Sequence, residues 1–315
     1  MVSKTLNNRL PVIDFSEDDD LNPGTDYWLS VRTKVCQALE EYGCFEALYG
    51  NKVSLELHNE MFQAIEELFD LPLETKILNT SPKPYYGYAA EASVRPLLEG
   101  MGIDDAPILE QVSSFTNLMW PEGNPSFCET VYSFTTRVTE LEQTVTRMVF
   151  ENYGVEKYYD SHIESMNYLL RVMKYRKCEE SESNLGATPH TDKSYITVLH
   201  QNQVHGLEVQ TKSGDWIKVT PTAGSFVVMT GDAFLAWSNG RLQCPIHRVV
   251  MEGDSTRYSV GLFAFSHALV EVPEELVDEH HPAKFKPFSQ IGLINFMMTE
   301  EGQKAESTVK AYCGI

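Results

Sequence analysis

The second half of the sequence is a series of short β-rich runs, and this feature constrains the fold more than any other. From Met166 onward the helical spacing of apolar residues ends. Runs rich in Val, Ile, Leu, Phe and Tyr then follow one another with turn signals between them. They cover residues 168–175, 195–201, 207–210, 216–219, 225–229, 247–251 and 257–265. Seven or eight short strands at this spacing predict a double-sheet jelly roll, also called a double-stranded β-helix.

The first half of the sequence has a helical pattern instead. Apolar residues fall at helical spacing from Asp26 to a stop at Gly43, and again over 57–68 and 131–148. Prolines and glycines interrupt residues 79–107, which predicts a loop or lid. The sequence therefore predicts a mainly β protein with flanking helices, a jelly-roll core and a helix-rich N-terminal region.

Four segments follow from this change of pattern. Residues 1–110 form an N-terminal region of helices and edge strands, and residues 111–160 form a long support helix. Residues 161–270 form the jelly-roll core, and residues 271–315 form a C-terminal helix or lid. The C-terminal helix itself is predicted around residues 291–298.

Charge and cysteine usage exclude several classes of partner. The net charge is −20 without a basic stripe, so nucleic acid and anionic membrane surfaces would repel the chain. No run approaches the eighteen apolar residues of a transmembrane helix, and the first nine residues contain no apolar signal segment. The six cysteines lack Cys-x-x-Cys spacing, which fits a reducing compartment. We expect a cytoplasmic protein that binds a small molecule and needs no obligate protein partner.

Five polar residues in the β-rich half form a pattern with chemical meaning. His190 and Asp192 are two apart, and His247 follows more than fifty residues later. Two histidines and one carboxylate are the facial triad of a mononuclear non-haem Fe(II) site, which leaves three positions of an octahedron open. If the segment is extended, His190 and Asp192 project from one face of a strand. Arg257 and Ser259, ten and twelve residues beyond His247, are suited to binding a carboxylate.

Simpler interpretations compete with this one. A lone His-x-Asp is a weak signal, and the five residues could be ordinary polar residues of a β-rich domain. Arg257 could form a surface salt bridge. His200 and His205 could imitate a metal pair, although a satisfied or solvent-facing histidine is the commoner case. His280 and His281 lie in an acidic stretch and suggest a solvated loop.

Aromatic and methionine residues supply candidates for substrate contacts. Phe263 and Phe265 share the parity of Arg257 and Ser259, so an extended strand would place them on the same face. Their alternative role is packing in the core. The full set of candidates is Tyr85, Tyr86, Phe115, Phe263, Phe265 and Met298.

The chain resembles the plant 2-oxoglutarate- and Fe(II)-dependent dioxygenases over nearly its whole length. The matching stretches include FDLP at 69–72, GLEVQ at 206–210 and SNGR at 238–241. YGCFEA at 42–47 and HTDK at 190–193 resemble the clade of alkenyl- and hydroxyalkyl-glucosinolate-forming oxygenases and related enzymes of specialised metabolism.

The resemblance implies roles for particular residues. His190, Asp192 and His247 would be the catalytic iron ligands, and Arg257 with Ser259 would hold the distal carboxylate of 2-oxoglutarate. Tyr175 would hydrogen-bond the co-substrate, although the chain has Met173 where many relatives have Asn. Fe(II) would be the cofactor, 2-oxoglutarate and O₂ the co-substrates, and ascorbate a supporting reductant.

The reaction implied is the hydroxylation, desaturation or oxidative cyclisation of a small plant specialised metabolite, either terpenoid, steroid-like or glucosinolate-like. It would be coupled to decarboxylation of 2-oxoglutarate to succinate and CO₂. One alternative keeps this chemistry but acts on a hormone or an amino-acid-derived substrate. Another is a non-catalytic homologue that binds a small molecule.

Overall fold

The computed structural model describes residues 9–16, 21–90, 96–179 and 181–313. The expectation of no signal segment in the first eight residues lies outside the described residues. So do residues 91–95 of the predicted loop.

Two sheets form the β-rich part of the molecule, and a short two-stranded ribbon accompanies them. The larger sheet has seven strands in the order β1-β2-β9-β6-β11-β4-β3, and the smaller has four in the order β5-β10-β7-β8. The prediction of a jelly-roll core with flanking helices is confirmed. The strands are β1 (Val12–Asp14), β2 (Cys44–Leu48), β3 (Leu98–Asp104), β4 (Met166–Tyr175), β5 (Leu185–His190), β6 (Ile196–Gln201), β7 (Leu207–Gln210), β8 (Trp216–Lys218), β9 (Ser225–Thr230), β10 (His247–Val250), β11 (Arg257–Ser266), β12 (Leu269–Val270) and β13 (Phe288–Ser289).

Helices pack on the outer face of the seven-stranded sheet. The longest, α5, contacts α1, α2 and α4 as well as β6 and β11. It begins where the Asn124 side chain accepts a hydrogen bond from the amide of Phe127, with Pro125 at its first position. The helices are α1 (Asp26–Glu41), α2 (Leu55–Phe69), α3 (Leu73–Lys76), α4 (Leu109–Met119), α5 (Pro125–Asn152), α6 (Tyr159–Glu164), α7 (Asp232–Trp237), α8 (Gln290–Met297), α9 (Glu300–Lys304) and α10 (Thr308–Cys313).

Strand β11 shows how the core fixes the two faces of the large sheet. Tyr258, Val260 and Leu262 belong to the hydrophobic cluster that the helices cover. Because side chains alternate along a strand, Arg257 and Ser259 project from the opposite face, toward the interior of the jelly roll. The polar residues singled out in the sequence therefore face the space between the sheets.

Two strands of the main sheets, β3 and β5, depart from the sequence prediction, and glycine is the reason in both. The two-residue strands β12 and β13 were also not predicted. The predicted loop at 79–107 contains β3, in which a Cβ on Gly102 would lie 2.3 Å from the carbonyl oxygen of Tyr86. Strand β5 was absent from the predicted runs because Gly186 and Pro189 interrupt it. A Cβ on Gly186 would lie 2.8 Å from the ring of Tyr175. Both glycines serve close packing between strands rather than turns.

None of the helices within the described ranges is both long enough and apolar enough to cross a membrane.

Candidate metal and co-substrate site

His190 and His247 are cross-strand neighbours in the four-stranded sheet. His190 ends β5, His247 begins β10, and the register pairs them directly, with ring centroids 4.2 Å apart. Asp192 lies beyond the end of β5, in the loop that leads to β6 of the other sheet. The expectation that His190 and Asp192 share one strand is therefore wrong, because the strand ends at His190. The loop nevertheless returns the carboxylate to the histidines.

The donor atoms of these three residues converge. Asp192 Oδ1 lies 3.8 Å from His190 Nε2 and 3.7 Å from His247 Nε2, and the three donors all lie within 4.8 Å of one another. Ligands bound at about 2.0–2.2 Å to one ion are at most about 4.4 Å apart, so these two separations suit a shared metal. Among the described residues no other group of three histidine, cysteine or acidic side chains meets this criterion. The donor set of two imidazoles and one carboxylate fits Fe(II).

Hydrogen bonds fix which ring nitrogen of each histidine faces the metal position. Nδ1 of His190 lies 2.7 Å from the carbonyl oxygen of Thr188, and Nδ1 of His247 lies 3.3 Å from that of Pro245. A carbonyl only accepts, so each Nδ1 carries the proton and donates it. Both Nε2 atoms are left with a lone pair for a metal, which is the usual arrangement of metal-binding histidines.

The carboxylate of Asp192 is oriented in the same way. Thr197 donates its hydroxyl to Asp192 Oδ2 at 2.7 Å, so Oδ1 is the oxygen that faces the histidines. The backbone beside it is fixed by the amide of Asp232, which donates to the carbonyl of Asp192 at 2.8 Å. Lys193 forms a buried ion pair with Asp232 at 2.7 Å. Asp192 and His247 are buried, whereas the His190 side chain is 45% exposed and marks the open side of the site.

Arg257 lies buried on the inner face of β11. Its Nη1 donates to Ser259 Oγ at 3.3 Å, and its Nε donates to Gln201 Oε1 at 3.1 Å. Burial lowers the pKa of the guanidinium from its usual value. Within the described ranges no carboxylate lies at ion-pair distance from Arg257, so the surface salt-bridge alternative does not hold. A buried guanidinium of this kind calls for an anion.

Tyr175 and Gly206 shape the space around this guanidinium. Tyr175 is the cross-strand partner of Arg257, and its ring centroid lies 5.0 Å from the Arg257 Cζ. A Cβ on Gly206 would lie 2.8 Å from Arg257 Cδ, so only glycine leaves room for the arginine stem. Gly206, the glycine of the GLEVQ stretch, is therefore required because the Arg257 side chain passes close to it, and not because the chain turns there.

The substrate candidates are divided between the interior, the core and the surface. Phe263 and Phe265 lie on the inner face of β11, and Tyr86 packs on Phe265 with centroids 5.9 Å apart. Phe115 is buried in the hydrophobic core, stacked on Phe127, and is not placed with the others. Two other candidates contact each other: the Tyr85 hydroxyl lies 3.3 Å from Met298 Sδ, and Met298 is exposed.

Several interior residues escaped the sequence prediction. Thr197 and Gln201 on β6 and Arg171 on β4 occupy inner-face positions, since each is the cross-strand partner of an inner-face residue of β11. The Arg171 guanidinium passes over Gly100, where a Cβ would lie 2.8 Å from its Nη2. The sequence does contain a signal for Arg171: it lies an even number of residues, four, before Tyr175, so the two side chains project from the same face of the strand.

His200 and His205 do not form a metal pair. His200 Nε2 lies 2.8 Å from Nδ1 of His58, and its own Nδ1 donates to the carbonyl of Ser225. Burial lowers the pKa of His200 to about 3, so the imidazole is neutral. His205 is exposed.

Comparisons with known proteins agree with this geometry. A family model described as the 2OG-Fe(II) oxygenase superfamily matches residues 161–266. A second, described as the non-haem dioxygenase in morphine synthesis N-terminal, matches residues 10–111. A probable 2-oxoglutarate-dependent dioxygenase of Arabidopsis thaliana, AOP1.2, is 46% identical over 322 residues, which are 100% of this chain and 98% of the relative. The chain belongs to the 2OG-Fe(II) oxygenase superfamily.

Solved structures of 2OG-Fe(II) oxygenases have the same fold. The dioxygenase for auxin oxidation 1 of Arabidopsis thaliana, in a binary complex with 2-oxoglutarate, is 30% identical with a TM-score of 0.78, covering 87% of this chain and 99% of that one. The dioxygenase for auxin oxidation of rice is 29% identical with a TM-score of 0.80, covering 96% and 99%. The protein is an enzyme of the 2-oxoglutarate-dependent dioxygenase type. Fe(II) and 2-oxoglutarate, expected from the sequence, are confirmed for it.

Proposed function

We propose that His190, Asp192 and His247 hold the catalytic Fe(II), and that Arg257 and Ser259 bind the distal carboxylate of 2-oxoglutarate. The observation that carries the proposal is the buried Arg257 guanidinium, which lacks a described carboxylate partner and faces the same interior as the triad. Tyr175, whose ring packs on the guanidinium, would hydrogen-bond the co-substrate.

The residues of the chain have three tasks in this reaction. The two imidazoles and the carboxylate position the metal and leave its remaining coordination positions to the co-substrates. Arg257 orients 2-oxoglutarate by its far end, and the buried surroundings exclude water. Iron bound here supplies the oxidative decarboxylation of 2-oxoglutarate to succinate and CO₂, coupled to oxidation of a C–H bond.

The substrate that we propose is a small plant specialised metabolite, which the enzyme hydroxylates, desaturates or cyclises. Phe263 and Phe265 give the interior an apolar wall, which suits a substrate with an apolar skeleton. A hormone is the second candidate, because the solved relatives named above are called dioxygenases for auxin oxidation. A panel of specialised metabolites and hormones separates these cases by which compound gives products at +16 or −2 mass units.

The test of the reaction class uses purified protein with Fe(II), 2-oxoglutarate and ascorbate. We expect succinate release that is abolished in His190→Ala and unchanged in His205→Ala, because the latter histidine is exposed and outside the triad. Succinate release that persists in His190→Ala would remove the triad from the mechanism. A wild-type protein that fails to bind Fe(II) or Ni²⁺ in calorimetry would favour the non-catalytic homologue.

Segment boundaries, compartment and partners also belong to this proposal. The four segments 1–110, 111–160, 161–270 and 271–315 would be the N-terminal region, the support helix, the catalytic core and the C-terminal helix or lid. All six cysteines are free thiols, which supports the cytoplasm. The net charge of −20 supports a protein without nucleic-acid partners, and we propose that it needs no obligate protein partner.

A further inference from the structure

Gln201 is the side chain beside Arg257 that the proposed function leaves unexplained. It ends β6, pairs in register with Ser259 of β11, and is 7% exposed. Its Oε1 accepts hydrogen bonds from both Nε and Nη2 of Arg257. The amide therefore lies against one edge of the buried guanidinium.

The chemistry of the pair fixes the orientation of the amide. A guanidinium only donates hydrogen bonds, so the oxygen of the Gln201 amide must face it. The nitrogen, Nε2, is then the atom of the amide that Arg257 does not contact through a hydrogen bond. It is buried, and in the described part of the chain it has no hydrogen-bond partner. A buried N–H group without an acceptor is costly. The natural explanation is that a bound molecule, rather than the protein, supplies the acceptor.

The same contact determines which edge of Arg257 remains available. A guanidinium has two edges that can bind a carboxylate with two parallel hydrogen bonds: the Nε/Nη2 edge and the Nη1/Nη2 edge. Gln201 occupies the first. The second remains, and there Nη1 also contacts Ser259 Oγ. An anion at this edge therefore lies beside Ser259, the cross-strand partner of Gln201.

We propose that Gln201 is a co-substrate-binding residue: its carbonyl orients Arg257, and its buried Nε2 donates to the distal carboxylate of 2-oxoglutarate. This inference rests on the proposed function, because it assumes that the anion at Arg257 is 2-oxoglutarate. It adds a third side chain to the Arg257 and Ser259 pair. Gln201 thereby becomes a determinant of selectivity for keto acids that have a distal carboxylate.

The test measures binding to the Ni²⁺-loaded full-length protein by calorimetry, so that no turnover is needed. Two probes are compared: 2-oxoglutarate, and 2-oxopentanoate, which has the same carbon chain with a methyl group in place of the distal carboxylate. In Gln201→Leu we expect 2-oxoglutarate affinity to fall about 10- to 100-fold, the range for a lost hydrogen bond to a charged group. The affinity for 2-oxopentanoate and for Ni²⁺ should stay as in the wild type.

A second variant distinguishes a loss of 2-oxoglutarate binding from a loss of folding. Gln201→Glu retains oxygens for Arg257 and places a carboxylate beside the buried cation, so we expect a raised melting temperature together with loss of 2-oxoglutarate binding. Gln203→Leu and Gln203→Glu are the matched controls, because Gln203 is exposed two residues away. Wild-type affinity for 2-oxoglutarate in Gln201→Leu, or an equal loss of both probes, would overturn the inference alone. A wild-type protein that does not bind 2-oxoglutarate would overturn the proposed function as well.

Discussion

The two carboxylate oxygens of Asp192 have different environments, and this difference prepares the site for a metal. Oδ2 is held by the hydroxyl of Thr197, which in turn contacts the hydroxyl of Ser194. Oδ1 faces the Nε2 atoms of His190 and His247. The hydrogen bond thus restricts the carboxylate to binding through one oxygen, as a facial triad with three open positions requires.

Replacing Thr197 by valine should weaken metal binding without disturbing the strand. Valine has nearly the same shape, but it leaves Asp192 Oδ2 without a donor. We expect the affinity for Ni²⁺ or Mn²⁺ to fall about 10- to 100-fold, the usual effect of losing a group that orients a metal ligand. Calorimetry measures it, with the exposed Thr33→Val as the control. Equal metal affinities in both variants would show that Asp192 needs no such support.

Residue identities differ in how well the sequence predicts them. His190, Asp192 and His247 were recognisable because few other roles need these side chains in this spacing. Thr197 and Gln201 were not, since a threonine and a glutamine at strand positions have many ordinary explanations. Their role depends on which inner-face residue of β11 lies opposite, and strand register is not visible in the sequence.

The contact between helix α5 and strand β4 contains a carboxyl group that is fully buried. Glu142 of α5 accepts hydrogen bonds from the hydroxyls of Thr146 and Tyr168. Burial raises its pKa from 4.5 to about 7, despite both hydrogen bonds. In the folded protein the protonated form is therefore favoured below about pH 7.

Glu142 should make the stability of this helix–sheet contact depend on pH. Because its pKa is higher in the folded state, its contribution is fully present below about pH 4.5 and is lost as the pH rises through about 7. A shift of this size corresponds to about 3 kcal/mol. From pH 5 to pH 8, Glu142→Gln should gain about this much relative to wild type in urea unfolding, whereas Glu140→Gln, at a more exposed position of the same helix, should not. Parallel pH profiles for wild type and Glu142→Gln would contradict the assignment.

Among the elements, the long helices and most strands of the two sheets were predicted, whereas helices such as α4 and α7 were not. α1, α2 and α5 follow from apolar spacing and from local caps such as Asn124, which act within one turn of the chain. β3 and β5 were missed because Gly102 and Gly186 resemble turn signals, while their reason is contact with residues far away in the sequence. Long-range packing of this kind has no local signature.

At the scale of the whole molecule, the helices and the site use opposite faces of the large sheet. The outer face is covered by the hydrophobic cluster around α5, and the inner face carries the polar residues of the site. Two of the metal ligands come from the small sheet, and the third comes from the loop that crosses to the large sheet. The co-substrate residues Arg257 and Ser259 lie on the large sheet itself.

Ligands that bridge the two sheets should therefore stabilise the entire fold. A ligand that binds only the folded state adds about 2.7 kcal/mol at 100 times its Kd. We expect Ni²⁺ to raise the melting temperature, 2-oxoglutarate to raise it further when the metal is present, and a chelator to reverse both effects. His247→Ala should lose the metal-dependent shift, and Ser259→Ala should lose most of the shift due to 2-oxoglutarate while retaining that due to the metal. If 2-oxoglutarate stabilised His247→Ala as strongly as the wild type, the co-substrate would be bound independently of the triad, and the two sheets would not be joined through the metal.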